Sequence, residues 1–380
     1  MVWTFLIYEV VYVGIVLILC YNLKRIERRV TMSIYITGDS HGKYPKLLEF
    51  TKLLKKGDYI IVCGDWGYLW DNDESEQNLL DDIERTQEWT MLFVDGNHEN
   101  FPAIYSYPEE IWCAGKVHRI RSNIIHLCRS QVYTINDKKI FTMGGGYSVD
   151  SYMRVPGISV WPEDEMPSNI DFEEADKNLD KHNRKVDFII THTAPYETLS
   201  LFRTPHPKEE RLNRKLEEIR INTEYKHWFM GHLHEDTDTW RNQHLLLWDY
   251  FQIDGDDVSR LYLIQSEQEE FDSIRSGKRD IEIRTLDQRA RNINVGDYFV
   301  YYDIPIGDYV KERCVALHEA SSFEELLEHI DNNERFGFNA EDSKEYVLQK
   351  IKEQFLPDED KKKGVVGIEI EYIKPKSEEE

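Results

Sequence analysis

SIYITGDSH, residues 33–41, sets the pattern of the chain: a short β-branched run, a glycine, then Asp39 and His41. The pattern recurs downstream. DYIIVC (58–63) runs into Gly64-Asp65, and MLFVD (91–95) into Gly96-Asn97-His98-Glu99. DFIITH (187–192) ends in His192, and KHWFMGH (226–232) leads to Gly231-His232-Leu233-His234. KIFTM (139–143) precedes Gly144-Gly145-Gly146. Such runs, bounded by turn residues, predict strands. Helical patterns lie at 44–56, 74–89, 171–183 and 207–222. Alternating strands and helices predict an α/β domain with a buried sheet over residues 32–255. The oxygen and imidazole side chains then gather at the carboxyl ends of strands, where open α/β sheets build their sites.

These blocks hold two aspartates, one asparagine and four histidines as ligand types, plus His98. A single four-coordinate zinc needs fewer, whereas two metals sharing a carboxylate need that many. Nitrogen and oxygen donors without thiolate suit Mn, Fe, Zn, Ni or Co better than a calcium cage. The other eight histidines, His118, His126, His182, His206, His227, His244, His318 and His329, are expected at the surface or satisfied in the core.

In order, D-x-H, G-D, G-N-H-E, H and G-H-x-H resemble the calcineurin-like metallophosphoesterases, over roughly residues 33–255. The resemblance implies an αββα sandwich with two divalent metal ions. Asp39, His41 and His234 would hold the first, Asn97, His192 and His232 the second, and Asp65 would bridge them. His98 would act on the phosphate as general acid or stabiliser. The reaction implied is hydrolysis of a phosphate ester by metal-activated hydroxide. One departure stands out: Tyr68 occupies the place where protein phosphatases of this superfamily carry an aspartate, and no arginine follows. A Ser/Thr protein phosphatase is therefore not expected. Arg154 is the nearest candidate to bind the substrate phosphate instead. Trp66, Tyr68 and Trp70 could stack a base at the rim, but burial under the sheet is the better expectation for at least two of them.

The chain has 380 residues and a formal charge of −24, which excludes a general DNA coat. Five cysteines, none at C-x-x-C spacing, fit a reducing compartment. Residues 3–22 are apolar and long enough to span a bilayer, with Lys24, Arg25, Arg28 and Arg29 following. Either residues 1–31 hold a transmembrane helix, or Met32 is the true start. Both readings leave the bulk of the chain in the cytoplasm. A genuine span would favour a membrane-bound phosphoesterase acting on lipid head groups.

IDGDDVS (253–259) reads as a linker, and a smaller α+β or β-barrel-like domain is expected over 256–375, with 376–380 as a tail. Its strands are predicted near 260–264, 280–284, 298–302 and 366–373, with helices at 322–331 and 342–355. Arg279, Arg284, Arg289 and Arg291 form a basic stretch, suited either to phosphate-bearing ligands or to cross-strand ion pairs. Gly277, Glu282, Arg284, Gly296 and Asp297 resemble the ASCH domain, a relative of the PUA fold, over about 260–375. Arg279 stands where members with amide-hydrolase activity carry a lysine. The resemblance implies contact with RNA or a nucleotide. The function expected is a dinuclear phosphoesterase on an RNA-like or nucleotide substrate. The alternative is an RNA-associated binding protein with a non-catalytic scaffold.

Overall fold

The computed structural model describes residues 32–373, apart from 44–46, 48–49, 304–307 and 331. The apolar segment 3–22 and part of the helix expected at 44–56 lie outside the described residues. Among the described residues no helix is long and apolar enough to cross a membrane.

Four strands pair in parallel: β1 (Ile34–Thr37), β2 (Tyr59–Val62), β3 (Thr90–Phe93) and, past the edge hairpin β4 (Glu109–Trp112) and β5 (Gly115–Arg121), β6 (Ile124–Leu127). A second sheet holds β7 (Gln131–Ile135), β8 (Lys138–Met143), β9 (Phe188–Thr191), β10 (His227–Met230), β11 (Thr237–Thr239) and β12 (Gln243–Leu245). Successive side chains of a strand point to opposite faces, and both faces here are apolar. Ile34, Ile36, Ile61 and Leu92 therefore meet Ile140, Phe188, Ile190 and Phe229 of the second sheet. Their neighbours Tyr35, Ile60, Val62 and Met91 pack outward on Leu80 and Ile83 of α1 (Glu74–Thr86). On the far side, Phe141, Ile189 and Trp228 pack against α2 (Asn169–Lys181) and α3 (Glu210–Asn222). The layers run helix, sheet, sheet, helix.

The stretch expected to be a linker is instead a hairpin turn. β13 (Tyr250–Asp254) pairs antiparallel with β1 and with β14 (Asp257–Gln265). β14 in turn pairs in parallel with β16 (Tyr298–Asp303). Among the described residues the C-terminal strands thus extend the first sheet to twelve strands, ending in β17 (Asp308–Ala320), β18 (Val365–Tyr372) and, at the edge, β15 (Ile281–Thr285). The barrel expected from the sequence is not found among the described residues. β14 has given both of its edges away, to β13 and β16, so it cannot close onto β15. The unit still has its own apolar cores, one around Tyr262, Phe299 and Ile368, another around Phe323, Leu326 and Val347.

Arg260 of β14 latches the two parts. It is 1% exposed, and its Nη1 donates to Asp249 Oδ2 at 2.5 Å. It also pairs with Asp238 and lies 4.7 Å over the Phe251 ring. Arg289 reaches the other Asp249 oxygen at 2.5 Å. Removing one member of such a buried set strands the rest in low dielectric. Arg260→Met should therefore lower unfolding stability by about 3–5 kcal/mol in denaturant titration. A loss below about 1 kcal/mol would show that Asp238 and Asp249 are satisfied without it.

Candidate metal centre

Five strand ends supply the site. Asp39 and His41 follow β1, Asp65 follows β2, Asn97 and His98 follow β3, His192 follows β9, and His232 and His234 follow β10. Four of these residues, His41, Asp65, His232 and His234, adopt left-handed backbone, with φ of 49°, 48°, 65° and 56°. A non-glycine residue held there costs on the order of 1 kcal/mol, and such strain concentrates at functional sites. The turns are held in place from outside: His41 N donates to Asp65 O at 2.7 Å, and Gly42 N to Trp66 O at 2.9 Å.

The donors fall into two groups. In the first, His41 Nε2 and His234 Nε2 stand 3.2 Å apart, and His234 Nε2 is 3.2 Å from Asp39 Oδ2. Asp39, His41, Asp65 and His234 offer ligand atoms all within 4.8 Å of one another. In the second, His192 Nε2 lies 3.0 Å from Asn97 Oδ1 and 3.4 Å from Asp65 Oδ1. Asp65 faces both: its Oδ2 is 3.9 Å from His41 Nε2, while its Oδ1 faces His192. His232 stacks obliquely on His192, with ring centroids 4.8 Å apart.

The donor chemistry fits divalent cations. His192 Nδ1 lies 2.8 Å from the Cys63 carbonyl oxygen, which only accepts, so Nδ1 carries the proton. Nε2 then turns a lone pair toward two oxygens, an arrangement that calls for a cation between them. Asp39 and Asp65 are buried, and burial of two carboxylates requires compensating charge. Burial pushes Asp65 up, yet His192, His98 and His41 outweigh it and bring it down to about 2.

Around the donors stand residues to which the sequence assigned no role. Asn97 Nδ2 donates to Ser148 Oγ at 3.1 Å, which turns its Oδ1 toward His192. Ser148 is held by buried Glu165 at 2.9 Å. Glu99 accepts from Trp66 N at 2.7 Å and Gly67 N at 3.3 Å, bracing the loop behind Asp65. The buried Glu209 carboxylate lies 3.0 Å from His232 Nε2. Glu99 stands inside a quoted motif. Glu209 sits in a charged run just ahead of α3, and nothing in its spacing marks it.

His98 and Arg154 lie together beside the donors. The His98 and His41 rings meet edge-on at 5.4 Å, and Asp65 Oδ1 accepts from His98 N at 2.7 Å. Arg154 Nη2 is 2.6 Å from His98 Nδ1 and 2.9 Å from Nε2, while its Nε donates to Asp150 at 2.8 Å. Burial, with Arg154 and His41 adding to it and Asp65 opposing, takes His98 down to about 4. Trp66 and Tyr68 are not rim residues: both are buried, and Trp66 stacks on Phe93 at 4.1 Å. Trp70 is half-buried against Trp161. The basic stretch is largely paired. Arg279 meets Glu270 and Glu282, Arg284 meets Glu282 at 2.7 Å, and Arg289 meets Asp249, while Arg291 is exposed.

The family profile described as calcineurin-like phosphoesterase matches residues 32–236, more than half of the chain. The chain belongs to the calcineurin-like phosphoesterases. As such it is a metal-dependent hydrolase of phosphoester bonds, and Asp39, His41, Asp65 and His234 are a candidate metal-binding group in it. Solved structures similar to this phosphoesterase include a Pyrococcus furiosus protein, 29% identical, covering 30% of this chain and 99% of that one, with a TM-score of 0.26. A Thermus thermophilus protein is 12% identical, covering 60% of this chain and 98% of that one, with a TM-score of 0.33. A Candida albicans 5'-nucleotidase is 13% identical, covering 61% of this chain and 51% of that one, with a TM-score of 0.29. No curated protein matches the chain.

The phosphoesterase depends on Gly231 for a close approach. A Cβ there would stand 2.0 Å from Asp39 Oδ1 and 2.9 Å from the Cys63 carbonyl oxygen. Gly231→Ala should displace Asp39 and weaken metal affinity by about 10–100-fold, as disturbed ligand-supporting contacts do. Metal analysis after dialysis is the check, and parent-like retention would contradict it.

Proposed function

We propose that the chain hydrolyses a nucleotide or RNA-like phosphate ester at a dinuclear centre. Asp39, His41 and His234 would hold one ion, Asn97, His192 and His232 the other, and Asp65 would serve both. The observation that carries this reading is Asp65 itself, whose two oxygens face different histidine groups. Bound divalent ions would neutralise phosphoryl oxygens and lower the pKa of water. The chain's own residues do the rest. Arg154 supplies the guanidinium that binds phosphate, the role left open by the missing motif arginine. A guanidinium only donates, so the nearer His98 nitrogen, Nδ1 at 2.6 Å, is the unprotonated one. An arriving phosphate draws Arg154 away and adds negative charge beside the ring, which raises its proton affinity. His98 is then positioned to serve the leaving oxygen.

A nucleotide substrate is favoured by Tyr152, 81% exposed and two residues from Arg154, where a base can stack. The C-terminal unit, through its likeness to the ASCH domain, would present the same kind of substrate. Its paired arginines do not themselves carry that reading.

His98→Ala should retain its metals and lose roughly 10²–10⁴-fold in rate on alkoxide leaving groups, with a smaller loss on nitrophenolate. Equal losses on both would remove His98 from acid catalysis. Arg154→Gln should raise KM for every phosphate ester tested. A panel of aryl phosphate mono- and diesters, nucleotides and short RNA, run with the manganese-loaded full chain, tests the substrate class. Turnover confined to the aryl esters would reject a nucleotide or RNA-like substrate.

A further inference from the structure

His118 and His126 are directly opposed across the β5–β6 ladder, so both side chains leave the same face of the sheet. Cys128 follows His126 by two residues and shares that face. Val117, Ile125 and Leu127, the intervening residues, point the other way into the core between the sheets. Each of the three offers one ligand atom within 4.8 Å of the others.

The two imidazoles are fixed as ligands are. His118 Nδ1 lies 2.8 Å from the Tyr107 carbonyl oxygen, which obliges Nδ1 to carry the proton and leaves Nε2 with a lone pair. His126 Nε2 lies 3.2 Å from Asp95 Oδ1, so its proton is on Nε2. Its Nδ1 is buried and has no hydrogen-bond partner, in a residue only 1% exposed. A buried nitrogen lone pair without a donor is a costly feature that a cation would relieve. Carboxylate–histidine and carbonyl–histidine pairs of this kind are the usual outer partners of metal-bound imidazoles.

The three residues line a cavity of about 330 Å³ with six carboxylates and two basic side chains on its wall. Arg129 is taken up by Asp95 at 2.5 Å, and Lys116 lies near Glu109 and Glu174 at 3.7 and 3.5 Å. The remaining field favours a cation.

We propose that His118, His126 and Cys128 form a mononuclear site for a borderline divalent cation, zinc foremost. Two imidazoles and a thiolate are its preferred donors, with a fourth position left to water. The catalytic donors contain no sulfur, so the two sites differ in metal preference. On binding, the S–H bond of Cys128 breaks, a sulfur–metal bond forms and the proton passes to solvent. Binding therefore releases one proton.

Cobalt titration of the metal-free full chain reads this site alone, because thiolate-to-cobalt charge transfer absorbs in the near ultraviolet and nitrogen or oxygen ligation does not. The parent should develop that band with one equivalent bound at this site, and zinc should abolish it. Cys128→Ser should lack the band, whereas Cys63→Ala and Asp65→Asn should keep it. His118→Gln, at a half-buried position, should weaken cobalt binding by more than the roughly 10–100-fold that loss of an outer partner costs. No charge-transfer band in the parent overturns the proposal, as does a band that survives Cys128→Ser or an unchanged affinity in His118→Gln.

Discussion

Two buried carboxylates in one crevice, Asp39 and Asp65, are the constraint on which the rest of the phosphoesterase depends. Like charges removed from water repel strongly and cannot both ionise without positive partners. The chain surrounds them with backbone N–H groups and with His41, His192, His232 and His234, imidazoles able to hold a compensating cation. Both Asp39 oxygens accept from His232 N at 3.1 Å, and Asp65 accepts from His98 N. Each such bond ties one strand-end loop to another, so the carboxylates organise the loops as well as the charge.

That organisation is strained. Four of the clustered residues sit in left-handed backbone, and the energy to hold them there comes from the sheets beneath. Strands buried on both faces make a rigid base. Behind the ligands, a second row of polar residues fixes orientation: Ser148 and Glu165 turn Asn97, Glu99 ties down the loop behind Asp65, and Glu209 faces His232. Each of these carboxylates is itself buried, so each is committed to its place.

The twelve-stranded sheet joins this base to the C-terminal unit. A hairpin leaves little freedom where a linker would leave much, and the Arg260 set adds buried ion pairs across the junction. Motion of the C-terminal unit as a free module would require the β13–β14 or the β14–β16 ladder to break.

By itself, the sequence determined the strand runs, their glycine-led ligand motifs and, from their order, the family resemblance. These are local signals: residue type and spacing at a strand end suffice, because the sheet imposes the convergence. It also favoured burial for at least two of Trp66, Tyr68 and Trp70 and carried both readings of the arginines, without fixing which aromatic is buried or which arginine is paired. Only tertiary structure did that, since burial of Trp66 on Phe93 and pairing of Arg289 with Asp249 join residues far apart in the chain. The same holds for Arg154, which meets His98 across 56 residues, and for Glu209 beneath His232. The hairpin at 253–259 looked like a linker because turn and linker share glycine and aspartate. What separates them is whether the flanking strands find each other, and that is decided by the neighbouring strands β1 and β16.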